Sequence, residues 1–277
     1  MICPSTTFKD LTMTKSCKAI NAWMIAFLVL GPSLLLFGKD DPRVERKSLR
    51  ILSYNIKHGR GMDGRVDWKR TAEVIRSLSP DLVALQEVDK NCSRSGSIDL
   101  TQELAEVLKM EGRFGKFMNF QGGQYGMAVL SRFPVTFHQV HVLPRGAEPR
   151  CALEVRVNPG KDWGEIRLLG IHHDWTKETL RSNQCRALLQ AVGEKASPVV
   201  LAGDFNSGRG SDSVGLLLDA GFQILANSST NTFPSKVPKI EIDFVMSRNL
   251  GFSRFKHQVI EEKLASDHRP VLVELFK

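Results

Sequence analysis

The sequence predicts an α+β sandwich in which two packed sheets are covered by helices, built as one domain over residues 49–277. Three observations carry that prediction. Beyond residue 48 the chain breaks into short apolar runs of about five to seven residues, bounded by Gly, Pro and Asn, the pattern of many short strands. Segments with helical periodicity occur both before and after the main run of strands, so helices cover more than one face. No internal repeat or low-complexity segment is present, which excludes a solenoid.

The chain opens differently. Residues 1–18 are polar and carry Lys9, Lys15 and Lys18, whereas residues 19–38, AINAWMIAFLVLGPSLLLFG, carry no charge. A basic segment followed by an apolar run has the form of an export signal, and the run is also long enough for a membrane-spanning helix, although Pro32 interrupts it. No small-x-small cleavage site follows, and Cys17 precedes the run, so it is no lipobox cysteine. Residues 1–38 are therefore read as a signal peptide or a membrane anchor, with residues 19–38 as the tether in the second case. The catalytic part is expected outside the cytoplasm, secreted, periplasmic or anchored. Residues 39–48 form a charged linker, beginning KDDPRVERK.

In the domain itself, residues 49–56 form a strand that ends in Tyr54-Asn55. Asp67 caps a helix reaching Leu78, with Val74, Ile75 and Leu78 on one face, and Ser79-Pro80 stops it. Residues 81–85 are a second buried strand ending in Gln86-Glu87, and residues 100–110 a second helix closed by Gly112. Strands follow over 114–120, 125–131, 135–143, 151–157 and 165–172. A helix over 176–192 leads to a strand that begins at Pro198-Val199 and ends in Gly203-Asp204-Phe205-Asn206. A short helix over 214–220 precedes strands at 240–246, 255–260 and 271–276.

Bulk composition excludes few function classes. With 277 residues, 42% hydrophobic and 25% charged, the chain can bury a sizeable core. The net charge of +8 favours anionic partners such as phosphates, nucleic acid or lipid head groups without choosing among them, and no Lys/Arg run exceeds two residues. Five cysteines show neither a CxxC pair nor zinc-ligand spacing. Disulfides are thus not the basis of the fold, and one bridge among Cys92, Cys151 and Cys185 is open to an exported protein.

The chemistry concentrates at strand ends. Asn55, Glu87, His172, Asp204 with Asn206, Asp243, and Asp267-His268 each stand where an apolar run meets solvent or a turn. Carboxylates in apolar strands cost free energy unless paired or bound to metal, so their coincidence points to one site. Alternation sends Asp204 and Asn206 the same way and Phe205 into packing. The same rule lets only one of His172 and His173 face the site, with Asp174 on the side of His172.

The motifs Ser53-Tyr54-Asn55, Leu85-Gln86-Glu87-Val88, Tyr125-Gly126-Met127-Ala128-Val129-Leu130-Ser131-Arg132, Gly170-Ile171-His172, Gly203-Asp204-Phe205-Asn206, Ile242-Asp243-Phe244 and Ser266-Asp267-His268-Arg269-Pro270 span residues 53–270. In this order they resemble the endonuclease/exonuclease/phosphatase superfamily, the DNase-I-like phosphoesterases. The resemblance implies a four-layer sandwich of two mostly antiparallel sheets between helices. It also implies hydrolysis of a phosphodiester, as in a nuclease, by in-line attack of water. A phospholipid or sphingomyelin phosphodiesterase, or a phosphomonoesterase, is the alternative on the same fold, and a non-catalytic binding module is a further one.

By resemblance Asp204 activates the water and Asn206 holds that water or a phosphate oxygen. Asp243 orients His268 and favours its charged form, and His172 is the other candidate to assist the leaving group. Glu87, helped by Asn55 and Asp267, takes a Mg2+ or Mn2+ ion, consistent with oxygen ligands selecting a hard cation. Arg150 is similar to a phosphate-contacting arginine in some members. Met127 occupies a place often filled by Asn there, and His58 is expected to shape the pocket. The partner is a phosphate ester, in nucleic acid or a phospholipid head group, and the protein is expected to be a monomer.

Overall fold

The computed structural model of the chain describes residues 47–193 and 197–277, so residues 1–46, with the export segment and most of the linker, lie outside the described residues. In chain order the strands are β1 (Ser48–Asn55), β2 (Leu82–Lys90), β3 (Glu111–Phe120), β4 (Gly123–Ser131), β5 (Val135–Val142), β6 (Cys151–Val157), β7 (Ile166–His172), β8 (Val199–Asp204), β9 (Gln223–Ile224), β10 (Asp243–Arg248), β11 (Arg254–Val259) and β12 (Val271–Phe276). The helices are α1 (Trp68–Leu78), α2 (Leu100–Leu108), α3 (Glu178–Val192) and α4 (Asp212–Asp219). Ser48, expected in the linker, already pairs with Phe276.

These elements make two six-stranded sheets, ordered β11-β12-β1-β2-β4-β3 and β5-β6-β7-β8-β10-β9. Among the described residues, only β1 with β2 and β7 with β8 pair in parallel. Each parallel pair lies near the centre of its sheet, and both faces of it are buried, which is why these strands read as continuous apolar runs.

Three apolar layers hold the sandwich together. Ile51, Leu82, Val129, Leu153, Leu168, Val200 and Val273 pack between the sheets. Leu52, Leu85, Leu130 and Leu272 pack under α1 and α2, and Leu169, Leu201, Phe244 and Met246 under α3 and α4. Each such side chain contributes about 1.5–3 kcal/mol on burial. Met127, at the family's frequent Asn position, is fully buried between the sheets. Its Cε lies 2.6 Å from where a Cβ on Gly170 would sit, so Gly170 makes room for the thioether.

Several element ends differ from the expectation, each for a local reason. The helix α3 starts at Glu178 because the Thr176 and Lys177 amides donate to the Asp174 carboxylate instead. Lys109 caps α2 in the left-handed region, so Met110 lies outside the helix. β10 begins at Asp243 because Ile240 bridges Phe233 in a separate excursion. β3 begins at Glu111, paired with Ser131. α4 starts at Asp212, two residues early, with the Ser211 hydroxyl accepting from the Val214 amide. The two-residue β9 carries no sequence signal. Cys92, Cys151 and Cys185 are all free and buried, so no bridge forms among them. The Cys92 thiol instead donates to the Phe120 carbonyl at 3.1 Å, tying two loops together.

Candidate active site

The register of the second sheet assembles half of the site. Asp204, the last residue of β8, pairs with His172 at the end of β7 on one side and with Asp243 at the start of β10 on the other. Residues in register on adjacent strands point to the same face, so three acid/base side chains stand in a row. Gly203 permits this approach, since a Cβ there would lie 2.0 Å from the Ile171 carbonyl oxygen.

The first sheet supplies the other half. Asn55 ends β1, and its Nδ2 donates to Glu87 Oε1 at 3.1 Å and to Asp204 Oδ2 at 3.2 Å, linking the two sheets. β2 does not end at Glu87 as expected; it runs on to Lys90 through a bulge between Gln86 and Val88. Glu87 is the bulged residue, at φ 57°, and is turned out of the ladder into the pocket. The Ser266 hydroxyl donates to the Asn55 carbonyl at 2.7 Å, which brings Asp267 and His268 to the same mouth.

The pocket so formed is a cavity of about 380 Å³ lined by Glu87, Arg150, His172, Asp204, Asn206, Asp267 and His268. Three nitrogens converge on one oxygen: Asn55 Nδ2, His172 Nε2 at 3.6 Å and His268 Nε2 at 3.7 Å all face Asp204 Oδ2. Asp204 Oδ1 accepts from the Asn206 amide at 2.9 Å, and Asn206 Nδ2 donates to the His173 carbonyl at 3.0 Å, with Asn206 held at φ 50°. His268 Nδ1 lies 3.0 Å from Asp243 Oδ2, and the Thr232 hydroxyl donates to the same oxygen at 2.6 Å.

Electrostatics separates the two histidines. Burial alone would lower the pKa of His268, but Asp243 and then Asp204 raise it to about 10, so its ring is an imidazolium. Burial, then the positive charges of Arg150 and His268, hold His172 well below its ordinary value, so its ring is neutral. Burial, then the Asp243 carboxylate, push Asp204 up to about 7 against the pull of His268. A carboxyl at that value is a competent base, held there by burial and a second acid in spite of its donors.

Oxygen ligands fit a divalent ion at the Glu87 side. Burial raises the Glu87 pKa and Asp267 adds to this, while among the described residues Asn55 Nδ2 is the one hydrogen-bond donor to its carboxylate. Glu87 and Asp267 therefore offer carboxylate oxygens that a hard cation would neutralise, while Asn55 turns Nδ2 to Glu87 and its Oδ1 accepts from the Lys57 amide at 3.2 Å. Asp267 Oδ2 is ion-paired with Lys57 Nζ at 2.5 Å. Asp204, Asp243 and His268 also lie close enough to hold an ion. There, however, Asp243 is spent on Thr232 and His268, and a protonated imidazole offers no lone pair.

Arg150 lies in the pocket as expected, 3% exposed, with Nη1 2.8 Å from Glu148 and Nε without a hydrogen bond. His173 points away from the site, packs edge-on against Phe205 and faces the Cys185 thiol at 3.8 Å. Asp174 does not line the pocket with His172 as alternation suggested, because β7 ends at His172. Its carboxylate holds the Ala147 and Thr176 amides, fixing the loop that carries Arg150. His58 is buried outside the pocket lining and lowered to about 4 by burial and then by Arg94. Sequence reasoning missed Thr232, Phe233, Arg94, Tyr125 and Trp175, of which all but Thr232 line the pocket. Tyr125 opens a motif noted above; Thr232 and Phe233 carry no local signal.

With this geometry in view, a family model described as Endonuclease/Exonuclease/phosphatase family matches residues 52–268. The chain belongs to this family. Its superfamily is generally one of hydrolytic phosphoesterases that use divalent metals. The chain is 26% identical over 249 residues to the protein YbhP of Escherichia coli (strain K12), covering 84% of this chain and 98% of YbhP. Among solved structures it is similar to an endonuclease/exonuclease/phosphatase from Beutenbergia cavernae DSM 12333, with a TM-score of 0.69 and 24% identity over 83% of this chain and 72% of that one. A TM-score of 0.64 and 18% identity relate it to TDP2 from C. elegans, over 83% of this chain and 75% of that one. At these identities the structures establish the fold, the α/β/β/α sandwich described above.

Proposed function

We propose that this protein is a divalent-metal-dependent phosphodiesterase, acting by in-line attack of water on phosphorus. The observation that carries the reading is the convergence of Asn55, His172 and His268 on Asp204 Oδ2, in a pocket that the Glu87 and Asp267 carboxylates also line. Asp204 takes the proton of the attacking water, and Asn55 and the Asn206 amide hold its carboxylate in place. His268, charged through Asp243, donates from Nε2 to a phosphoryl oxygen on which charge builds. Arg150, which lines the same pocket, adds its guanidinium charge beside that group. Neutral His172 donates a hydrogen bond without adding charge. Bound at Glu87, Asn55 and Asp267, a Mg2+ or Mn2+ ion would supply charge neutralisation at the phosphate and its leaving oxygen.

The substrate belongs to nucleic acid or to phospholipid head groups, a choice motivated by the export signal read in residues 1–38 and by the net charge of +8. Export and a monomeric state are part of the same proposal. The test is hydrolysis of DNA, RNA, sphingomyelin, phosphoinositides and aryl phosphate mono- and diesters, with Mg2+ or with EDTA, by wild type, Asp204→Asn and His268→Gln. Metal-dependent turnover of a diester, lost in both variants, supports the reading. Failure of every substrate in the presence of metal, or full activity in the variants, overturns it. Fractionation into medium, periplasm and membrane pellet tests export.

A further inference from the structure

One wall of the pocket is not used by the hydrolytic chemistry. Phe120 and Tyr125 line it with ring centres 6.2 Å apart, and Phe117, outside the lining, meets Tyr125 edge-on at 5.6 Å. An arginine closes this aromatic ladder at each end. Arg150 lies 5.0 Å from the Phe117 ring, while Arg94 lies 4.5 Å from Phe120 and 5.2 Å from Tyr125. Both arginines line the same cavity.

Arg94 is fixed far more firmly than a surface arginine. Its Nε and Nη2 donate to the two oxygens of Asp89, each at 2.8 Å, and Asp89 is fully buried behind the Glu87 bulge. The turn that carries it is clamped to the β3–β4 hairpin through the Cys92 thiol, which donates to the Phe120 and Gln124 carbonyls, and through the Ser93 amide, which donates to Gln121. Burying a carboxylate to hold one guanidinium against two rings is costly, and what it secures is a preorganised cation. Among the described residues Nη1 has no hydrogen-bond partner, and the side chain, 25% exposed, lines the pocket.

We propose that Arg94 forms a second anion subsite, which receives a phosphate a few bonds away from the one held at Arg150, so that the preferred substrate carries two neighbouring phosphates. This rests on the phosphoesterase reading for the Arg150 end only. Phe120 and Tyr125, which line the cavity together with both guanidiniums, give the intervening carbon skeleton an apolar surface to lie on. The shared chemistry is a bisphosphate, whether the skeleton is a nucleoside or a plain alcohol.

Equilibrium binding in EDTA at low salt tests this without requiring turnover. The probes are thymidine 3′,5′-bisphosphate against thymidine 5′-phosphate, and 1,3-propanediol bisphosphate against propyl phosphate. In wild type each bisphosphate is expected to bind about tenfold or more tightly than its monophosphate, the ratio expected for a hydrogen bond to a charged group. Arg94→Gln is expected to bring that ratio near one. The double variant Arg94→Gln/Asp89→Asn, which leaves no buried unpaired carboxylate, is expected to do the same with less loss of stability. Arg94→Lys, unable to span Asp89 bidentately, is expected to lie between. A preference in the nucleoside pair alone identifies a nucleotide skeleton, and one in both pairs shows that the phosphates suffice.

Equal binding of mono- and bisphosphates by wild type overturns the assignment, as does a ratio that survives in the variants. A protein that hydrolyses single-phosphate diesters without preferring bisphosphates retains the hydrolase reading and loses this one. A protein that prefers bisphosphates through Arg94 but turns over no ester does the reverse.

Discussion

Two of the carboxylates buried in the second sheet, Glu154 and Asp204, are treated in opposite ways by their surroundings. Glu154, in the middle of β6 and 1% exposed, accepts from Arg167 Nε at 2.8 Å and Nη2 at 3.1 Å, from Arg156 Nε at 3.0 Å, and lies 2.8 Å from His141 Nε2. Burial alone would raise its pKa, but the hydrogen bonds of His141, Arg167 and Arg156 outweigh that and hold it far below its ordinary value. Asp204, also 1% exposed, has Asp243 in register beside it and is pushed up to about 7. Burial of an acid therefore does not by itself mark a site. What marks it is burial next to a second acid, where Glu154 instead has two arginines as direct partners.

Removing each carboxylate should break different properties. Asp204→Asn is expected to lower kcat about a thousandfold, the usual scale for loss of a positioned base, in metal-supplemented hydrolysis of the diester identified above. Its thermal midpoint should move less than that of Glu154→Gln. In the latter, Arg167 is left buried without its partner, and an unfolding titration should show a loss of about 3–5 kcal/mol, with unchanged turnover per folded molecule. Large stability loss in Asp204→Asn with none in Glu154→Gln would invert the comparison.

The contrast extends to pH. Because the folded pKa of Glu154 lies below its ordinary 4.5, its contribution is present above that value and is lost as pH falls through the acid range. The stability difference between wild type and Glu154→Gln should therefore be full near neutrality and shrink progressively below about pH 4.5. Urea unfolding at a series of pH values reads this directly, and a difference that grew on acidification would refute it.

The smallest expected effect concerns positioning. Thr232→Val removes the hydroxyl that donates to Asp243 at 2.6 Å while keeping its volume. Turnover should fall about tenfold, in line with one hydrogen bond to a charged group, and imidazole proton shifts of His268 should move with it. An unchanged His268 signal would make Thr232 merely structural.

The strand-end part of the candidate site was legible in the sequence because polar residues end apolar runs: Asn55, His172, Asp204 and Asp243 all stand at strand ends, as that pattern requires. The two-sheet sandwich was legible for the same reason, since periods of two and 3.6 alternate along the chain. Contributions from loops were not. Thr232 and Phe233 reach Asp243 and His268 through an excursion whose pairing is set by long-range register, with no local pattern to announce it. Glu87 was found, but its bulge was not, because a one-residue insertion in a strand leaves the apolar run on both sides intact. Asp174 was misplaced because alternation was extended beyond the end of its strand.

The contrast between the two acids rests most directly on the titration of their carboxyl carbons. In metal-free protein with carboxyl-labelled Asp and Glu, assigned by the Asp204→Asn and Glu154→Gln variants, carbon NMR should show Asp204 titrating near 7 and Glu154 well below 4.5. An Asp204 signal that titrates near the ordinary 3.8, with Glu154 above it, would contradict a poised base at the end of β8.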